Sequence, residues 1–173
     1  MTEERASTQE EKVEAFLKSL GIDFVRIEHP PTATVEEAER YWKGLRGVHV
    51  KNIFLRNFKG NRHYLLLVEA AKKVDLKHLN LVLGEDRLSF ASERRLRAFL
   101  GVSPGAVSPF GLINDSGREV QVIIDSDLRS SPYLAFHPNV NTATLEISGP
   151  DFIKYLEACG HKIRWQELRE KEP

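Results

Sequence analysis

Apolar and polar positions alternate along this chain with a period that changes repeatedly, from about 3.6 residues to about 2 and back. Helices and short strands are therefore expected in mixed order. Val13, Phe16, Leu17 and Leu20 fall at helical spacing, and Thr8-Gln9-Glu10-Glu11 has the spacing of a capping box. Gly21 supplies the stop. Residues 22–27 read as a strand, closed by His29-Pro30-Pro31. A second capping box, Thr34-Val35-Glu36-Glu37, predicts a short helix to about Lys43. Strands over 48–57 and 63–68 flank a hairpin turn, Phe58-Lys59-Gly60-Asn61-Arg62.

Farther along, Asp75 and Ser92 are placed to cap two more helices, with a short apolar stretch at 88–91 between them. Residues 101–111 are dense in Gly, Pro and Ser and read as a loop of defined shape. A turn at 113–117 precedes a buried strand at 120–124, and residues 134–136 and 142–147 supply two more. Ser148-Gly149-Pro150-Asp151 opens a last helix that Gly160 ends, before a final strand near Ile163 and Trp165. About seven strands and five helices result. Several strand connections are too short for a parallel crossover, so the sheet must be partly antiparallel. The expected fold is one α/β domain of the α+β type over 1–173, with a mixed, curved sheet and helices outside. Residues 1–8 and 169–173 are expected to fray.

Composition narrows the chemistry. Hydrophobic residues make up 41% and charged residues 29% of 173, an ordinary globular balance. No apolar run approaches the ~20 residues that cross a bilayer, and the acidic start Met1-Thr2-Glu3-Glu4-Arg5 does not read as a targeting segment. The single cysteine, Cys159, excludes a disulfide framework and suggests a reducing, cytoplasmic setting. Net charge is zero, but residues 51–101 carry eleven basic and five acidic side chains, which suggests one positive face. Lys72, Lys73, Arg87, Arg94, Arg95 and Arg97 lie there, either as a solvated mixed surface or along a nucleic-acid backbone. There is no nucleophile elbow, phosphate loop or dinucleotide fingerprint, and the six histidines show no metal-ligand spacing, so neither metal nor cofactor is expected.

Three stretches do carry candidate chemistry. In Val50-Lys51-Asn52-Ile53-Phe54-Leu55 a lysine sits on a buried strand with no carboxylate nearby in sequence. Its ammonium needs a partner from elsewhere in the fold, a route to solvent, or an anionic ligand. The loop 101–111 can either close a sheet edge or aim backbone N–H groups at a developing oxyanion. In Phe136-His137-Pro138-Asn139-Val140-Asn141-Thr142, His137 ends a strand, as a structural histidine or as a group placed in a cleft.

With these motifs in the order Lys51-Asn52, Gly105-Ala106-Val107-Ser108-Pro109 and His137, the chain resembles the YbaK-like aminoacyl-tRNA deacylases. That family includes the editing domain inserted in bacterial prolyl-tRNA synthetases and free-standing prolyl-tRNA editing proteins. The resemblance covers about 10–165. It implies the family's mixed α/β fold, no metal, and hydrolysis of mischarged tRNA for proline, with alanine as the expected misacylated residue and cysteine as the alternative. It implies an essential role for Lys51, a contact from Asn52 to the terminal adenosine, and a carbonyl site lined by Gly105 and Pro109. His137 matches the pocket histidine. Attack by water, assisted by a ribose hydroxyl of the substrate, is the implied mechanism. Ile27, His29, Thr34 and Phe110 are expected as pocket walls, the basic segment as the acceptor-stem contact, and prolyl-tRNA synthetase as a possible docking partner. A non-catalytic tRNA-binding module and a small-molecule esterase are the competing readings.

Overall fold

The computed structural model describes residues 5–31 and 35–173. Helix α1, Gln9–Ser19, forms where the periodicity places it, with Thr8 and Glu11 closing a reciprocal capping box through bonds of 3.2 and 3.0 Å. Strand β1 (Val25–Glu28) and helix α2 (Val35–Trp42) follow, then the hairpin β2 (Val48–Asn57) and β3 (His63–Glu69). Helix α3 (Leu76–Leu83) is capped by Asp75, and α4 (Glu93–Leu100) by Ser92. Strand β4, Leu88–Phe90, lies between them. A 3₁₀ helix at Pro109–Asn114 leads to β5 (Val120–Asp125), β6 (Tyr133–Phe136) and β7 (Ala143–Ser148). Helix α5 (Gly149–Cys159), capped by Ser148, and β8 (Ile163–Gln166) complete the chain.

The eight strands join in the order β1-β7-β6-β2-β3-β5-β8, with β4 added to β2. The sheet is mixed: β2 is antiparallel to β3 and β4 but parallel to β6, and β5 is parallel to β3 and β8. Its two faces divide the core. One face carries Phe54, Leu65, Leu67, Val122, Ile124, Phe136 and Leu145, packed with residues of α1, α4 and α5. The other carries Leu55, Tyr64, Leu66, Val68 and Ile123 with Leu79 of α3. Both sets alternate along β3 because successive strand residues point to opposite faces.

The expected pattern needs four adjustments. The first strand starts at Val25 rather than Ile22, because Ile22 is buried in the main core after the turn at Gly21. The 88–91 stretch becomes an eighth strand on β2. The 101–111 loop ends in helical turn geometry from Pro109, with Ser108 Oγ accepting from the Phe110 N–H. The C-terminal segment is tied down over 169–171: Asp75 N–H donates to Arg169 O at 2.9 Å and Lys171 N–H to Lys73 O at 2.8 Å. The second capping box begins at Thr34, outside the described residues. Among the described residues, no helix is long and apolar enough to cross a membrane.

Candidate functional site

Strand β2 is bordered differently on its two edges. On one side β3 pairs with it from Val50 to Arg56. On the other, β6 pairs only at Val48 and His49, and β4 only at Leu55 to Asn57. Residues 50–53 therefore face an opening in the sheet. The Asn52 side-chain amide donates to Val50 O at 3.2 Å, closing part of this edge from within. Asn52 Oδ1 is buried without a hydrogen-bond partner among the described residues.

Lys51 lies opposite Val68, on the face of the second core, whereas Asn52 lies opposite Leu67, on the face of the main core. Lys51 Nζ donates to Lys72 O at 2.7 Å and has no carboxylate partner among the described residues. Burial, then the neighbouring Lys73 ammonium, hold its pKa below the usual lysine value. An arriving anion would relieve both penalties.

The parallel pairing of β2 with β6 ends at His49↔Ala135, two residues before Lys51 on one strand and two before His137 on the other, so by strand alternation both side chains lie on the face of His49. His137 Nδ1 lies 2.8 Å from Ala143 O. A carbonyl only accepts, so Nδ1 carries the proton and Nε2 is left with a free lone pair. Burial is the main cause of a lowered His137 pKa, partly offset by that backbone bond and reinforced by His29. The His29 ring centroid is 5.7 Å from that of His137 and 5.7 Å from Tyr41. His29 Nδ1 contacts Pro30 O at 3.0 Å and Nε2 contacts Thr144 Oγ1 at 2.8 Å, which likewise makes Nδ1 the donor. Ile27 pairs with Thr144 and joins the same row.

The two shaped loops meet: a methyl group placed on Gly105 would come within 3.3 Å of Asn141 Nδ2. Glycine permits that approach. Within the loop the Ala106 N–H is used by Ser103 O and the Gly111 N–H by Ser108 O, whereas the Gly105 N–H has no partner among the described residues. Gly105 is exposed.

Pro109, expected at the carbonyl site, and Phe110, expected at the pocket wall, are both buried, Phe110 in the main core, where it packs edge-on against Phe136 and Tyr155. The Tyr155 hydroxyl donates to Pro109 O at 2.7 Å, so these two residues brace the loop from behind. Asn52, expected to contact the terminal adenosine, points to the face opposite that of Lys51. Thr34 lies outside the described residues.

Three of the six basic candidates are already engaged. Lys72 Nζ pairs with Asp125 at 2.8 Å and Asp127 at 3.1 Å. Burial alone would lower its pKa, but the hydrogen bonds to those carboxylates outweigh it and leave it raised. Arg95 donates to Gly60 O and to the His63 ring, fastening α4 to the hairpin, and Arg97 pairs with Glu93 one helical turn away. Lys73, Arg87 and Arg94 are exposed, with no ion pair among the described residues.

Sequence reasoning missed the Trp42–His49 stack, with centroids 3.7 Å apart and planes within 7°. The signal was there, because His49 precedes Lys51 by two and so shares its face. Glu146, buried, accepts from the Arg46 and Gly47 N–H groups and fixes the turn that carries α2 to this place. Burial pushes His49 down to about 4, against the opposing pull of Glu146. Its folded value lies below the unfolded 6.5, so the neutral form stabilises the fold above pH ~6.5 and that contribution is lost as pH falls toward ~4. At about 1.4 kcal/mol per pH unit the interval from 6.5 to about 4 caps the loss at about 3.5 kcal/mol, and solvent screening at the half-buried ring reduces it further. His49→Phe is expected to flatten the decline in unfolding free energy between pH 6.5 and 4, measured by urea denaturation. An unchanged slope would remove His49 from the acid response.

The Lys51 amine, the His137 imidazole and the unpaired stretch of β2 all lie on one face of the sheet and are groups suited to an anionic, hydrogen-bonding substrate end. The chain belongs to the aminoacyl-tRNA editing domain family, which matches residues 29–155. It is 43% identical over 154 residues to the prolyl-tRNA editing protein ProX of Acetoanaerobium sticklandii, covering 89% of this chain and 94% of that protein. It is 36% identical to the prolyl-tRNA synthetase associated domain-containing protein 1 of Danio rerio, over 87% of this chain and 82% of that protein. A solved structure described as a proposed trans-editing enzyme for prolyl tRNA synthetase shares the fold, with a TM-score of 0.71 and 22% identity, covering 96% of this chain and all of that one.

Proposed function

We propose that this protein is a trans-editing deacylase that hydrolyses the ester of mischarged tRNA for proline, with alanine as the residue removed. The observation that carries the reading is the Lys51 amine, partly buried, aimed by a backbone carbonyl and unmatched by any acid among the described residues, on the sheet face that also carries His137. The family and the names of the relatives supply the substrate class.

An aminoacyl ester is already activated, so hydrolysis needs an oriented water and a stabilised oxyanion more than a nucleophile. Lys51 holds the terminal phosphate or ribose end as a point charge. A hydroxyl of the substrate's own ribose assists the water, and the Gly105 N–H faces the developing oxyanion. His137 Nε2, a neutral acceptor, orients the amino group or the water. Ile27, His29 and His137 bound a small pocket that admits alanine and crowds out proline, since steric exclusion discriminates more strongly than the ~1–3 kcal/mol of a missing methylene contact. Asn52 supports the open edge of β2 from the other face. The whole chain acts as one domain in the cytoplasm, and prolyl-tRNA synthetase is the partner that generates its substrate.

Lys72 has a positioning role in this scheme. Asp125 and Asp127 hold its ammonium, and its carbonyl aims Lys51. Lys72→Met is expected to lower the single-turnover rate about tenfold through misplacement of Lys51, with little change in tRNA affinity. A loss confined to affinity would instead put Lys72 on the phosphates.

Hydrolysis of alanyl-tRNA for proline compared with alanine methyl ester tests the function itself. Rapid turnover of the first with negligible turnover of the second is expected. Equal turnover of both would make the protein a small-molecule esterase, and turnover of neither a binding module.

A further inference from the structure

Phe90 is an aromatic side chain left in the open on a strand, 69% exposed. Strand register puts it directly opposite Leu55, and Leu55 shares the face of Lys51 four residues back along β2. Leu88, two residues earlier in β4, is buried in the second core, so α3 covers one end of this short strand and stops before Phe90. The separation from Lys51 along β2 is about 13 Å at the usual strand rise. Between them lies the unpaired edge at 50–53.

Two exposed arginines lie near it in the chain, with Asp86 next to the first. Arg87 and Arg94 flank Phe90 in the chain, both exposed and without an ion pair among the described residues. The nearest acid on α4, Glu93, is taken by Arg97. The other exposed aromatic of this region, Phe58, lines a small cavity of mixed charge with Lys59, Arg62, Glu85 and Asp86.

Exposed rings on a strand, with arginines within a few residues in the chain, are the kind of groups by which proteins hold single-stranded nucleic acid: bases stack on the ring while cations follow the backbone. We infer that Phe90 is a stacking platform for an unpaired base near the 3′ end of the tRNA, with Arg87 and Arg94 on the adjoining phosphates. The inference rests on the proposed tRNA substrate and adds to it the path of the strand: the terminal residue reaches Lys51, and a base a few nucleotides before it lies on Phe90. Because an aromatic stack tolerates any base, this contact contributes affinity and reach and leaves discrimination among charged amino acids to the pocket.

The test uses the full chain and two ligands: uncharged tRNA for proline, and the same tRNA shortened by removal of its unpaired 3′ nucleotides. Phe90→Ala is expected to weaken binding of the intact tRNA about tenfold, Phe90→Trp to preserve it, and neither to change binding of the shortened form. Equal affinity of Phe90→Ala and the unsubstituted protein for intact tRNA would overturn the inference, as would an equal loss on both ligands. Hydrolysis of alanyl-tRNA by the unsubstituted protein, measured on the same preparation, separates the two levels. If it is absent, the enzymatic reading fails; if it is present while Phe90→Ala binds normally, only the stacking platform fails.

Discussion

Replacing Lys51 by methionine is expected to lower single-turnover deacylation of alanyl-tRNA for proline by about 100-fold, the scale on which misplacing a bound substrate by about 1 Å counts. Methionine keeps the length and apolar stem of the side chain while removing the charge. The folded protein should not suffer. Burial and the Lys73 ammonium already disfavour charge on Lys51, and its one hydrogen bond goes to the Lys72 carbonyl. Urea denaturation should therefore show unchanged or slightly increased stability alongside the lost activity. That combination separates a functional lysine from a structural one. A rate within threefold of normal would take Lys51 out of the chemistry.

The second large effect falls on stability. Phe110→Ala should cost about 3–5 kcal/mol, as for other fully buried aromatic residues, and lower the melting temperature by roughly 10 °C in a chain of this size. Phe110 is completely buried and packs edge-on against both Phe136 and Tyr155. A pocket-wall role would give another result: normal melting with relaxed selection among charged amino acids. Thermal unfolding followed by near-ultraviolet circular dichroism distinguishes them.

Phe110 also shows what was legible in the sequence and what was not. The local signals transferred well: Thr8 with Glu11, Asp75, Ser92 and Ser148 all cap helices where their spacing placed them. These devices act within a few residues, so they are readable in one dimension. Phe110 sits in a Gly- and Pro-rich segment that looks like an exposed loop, and its burial depends on Phe136 and Tyr155, 26 and 45 residues away. Lys72 looked like a free cation for the same reason. Its carboxylates, Asp125 and Asp127, arrive only through the parallel pairing of β5 with β3. The three-residue strand β4 was too short for its periodicity to register.

The opposed directions of Lys51 and Asn52 were readable from strand alternation alone. Adjacent positions on β2 could not both line one face, and the structure gives each its own place: Lys51 toward the turn after β3, Asn52 against the Val50 carbonyl. His137 could be marked as a strand-end residue, but its meeting with His29 depends on the antiparallel pairing of β1 with β7. The site is thus assembled from segments whose chemistry is local and whose proximity is not.

The central claim is that this cleft removes a small wrong amino acid from tRNA for proline and spares the right one. It is tested most directly by single-turnover hydrolysis of that tRNA charged in turn with alanine, cysteine, serine and proline. Rapid loss of alanine with retention of proline is the predicted result. Loss of proline at the same rate, or retention of all four, would contradict it.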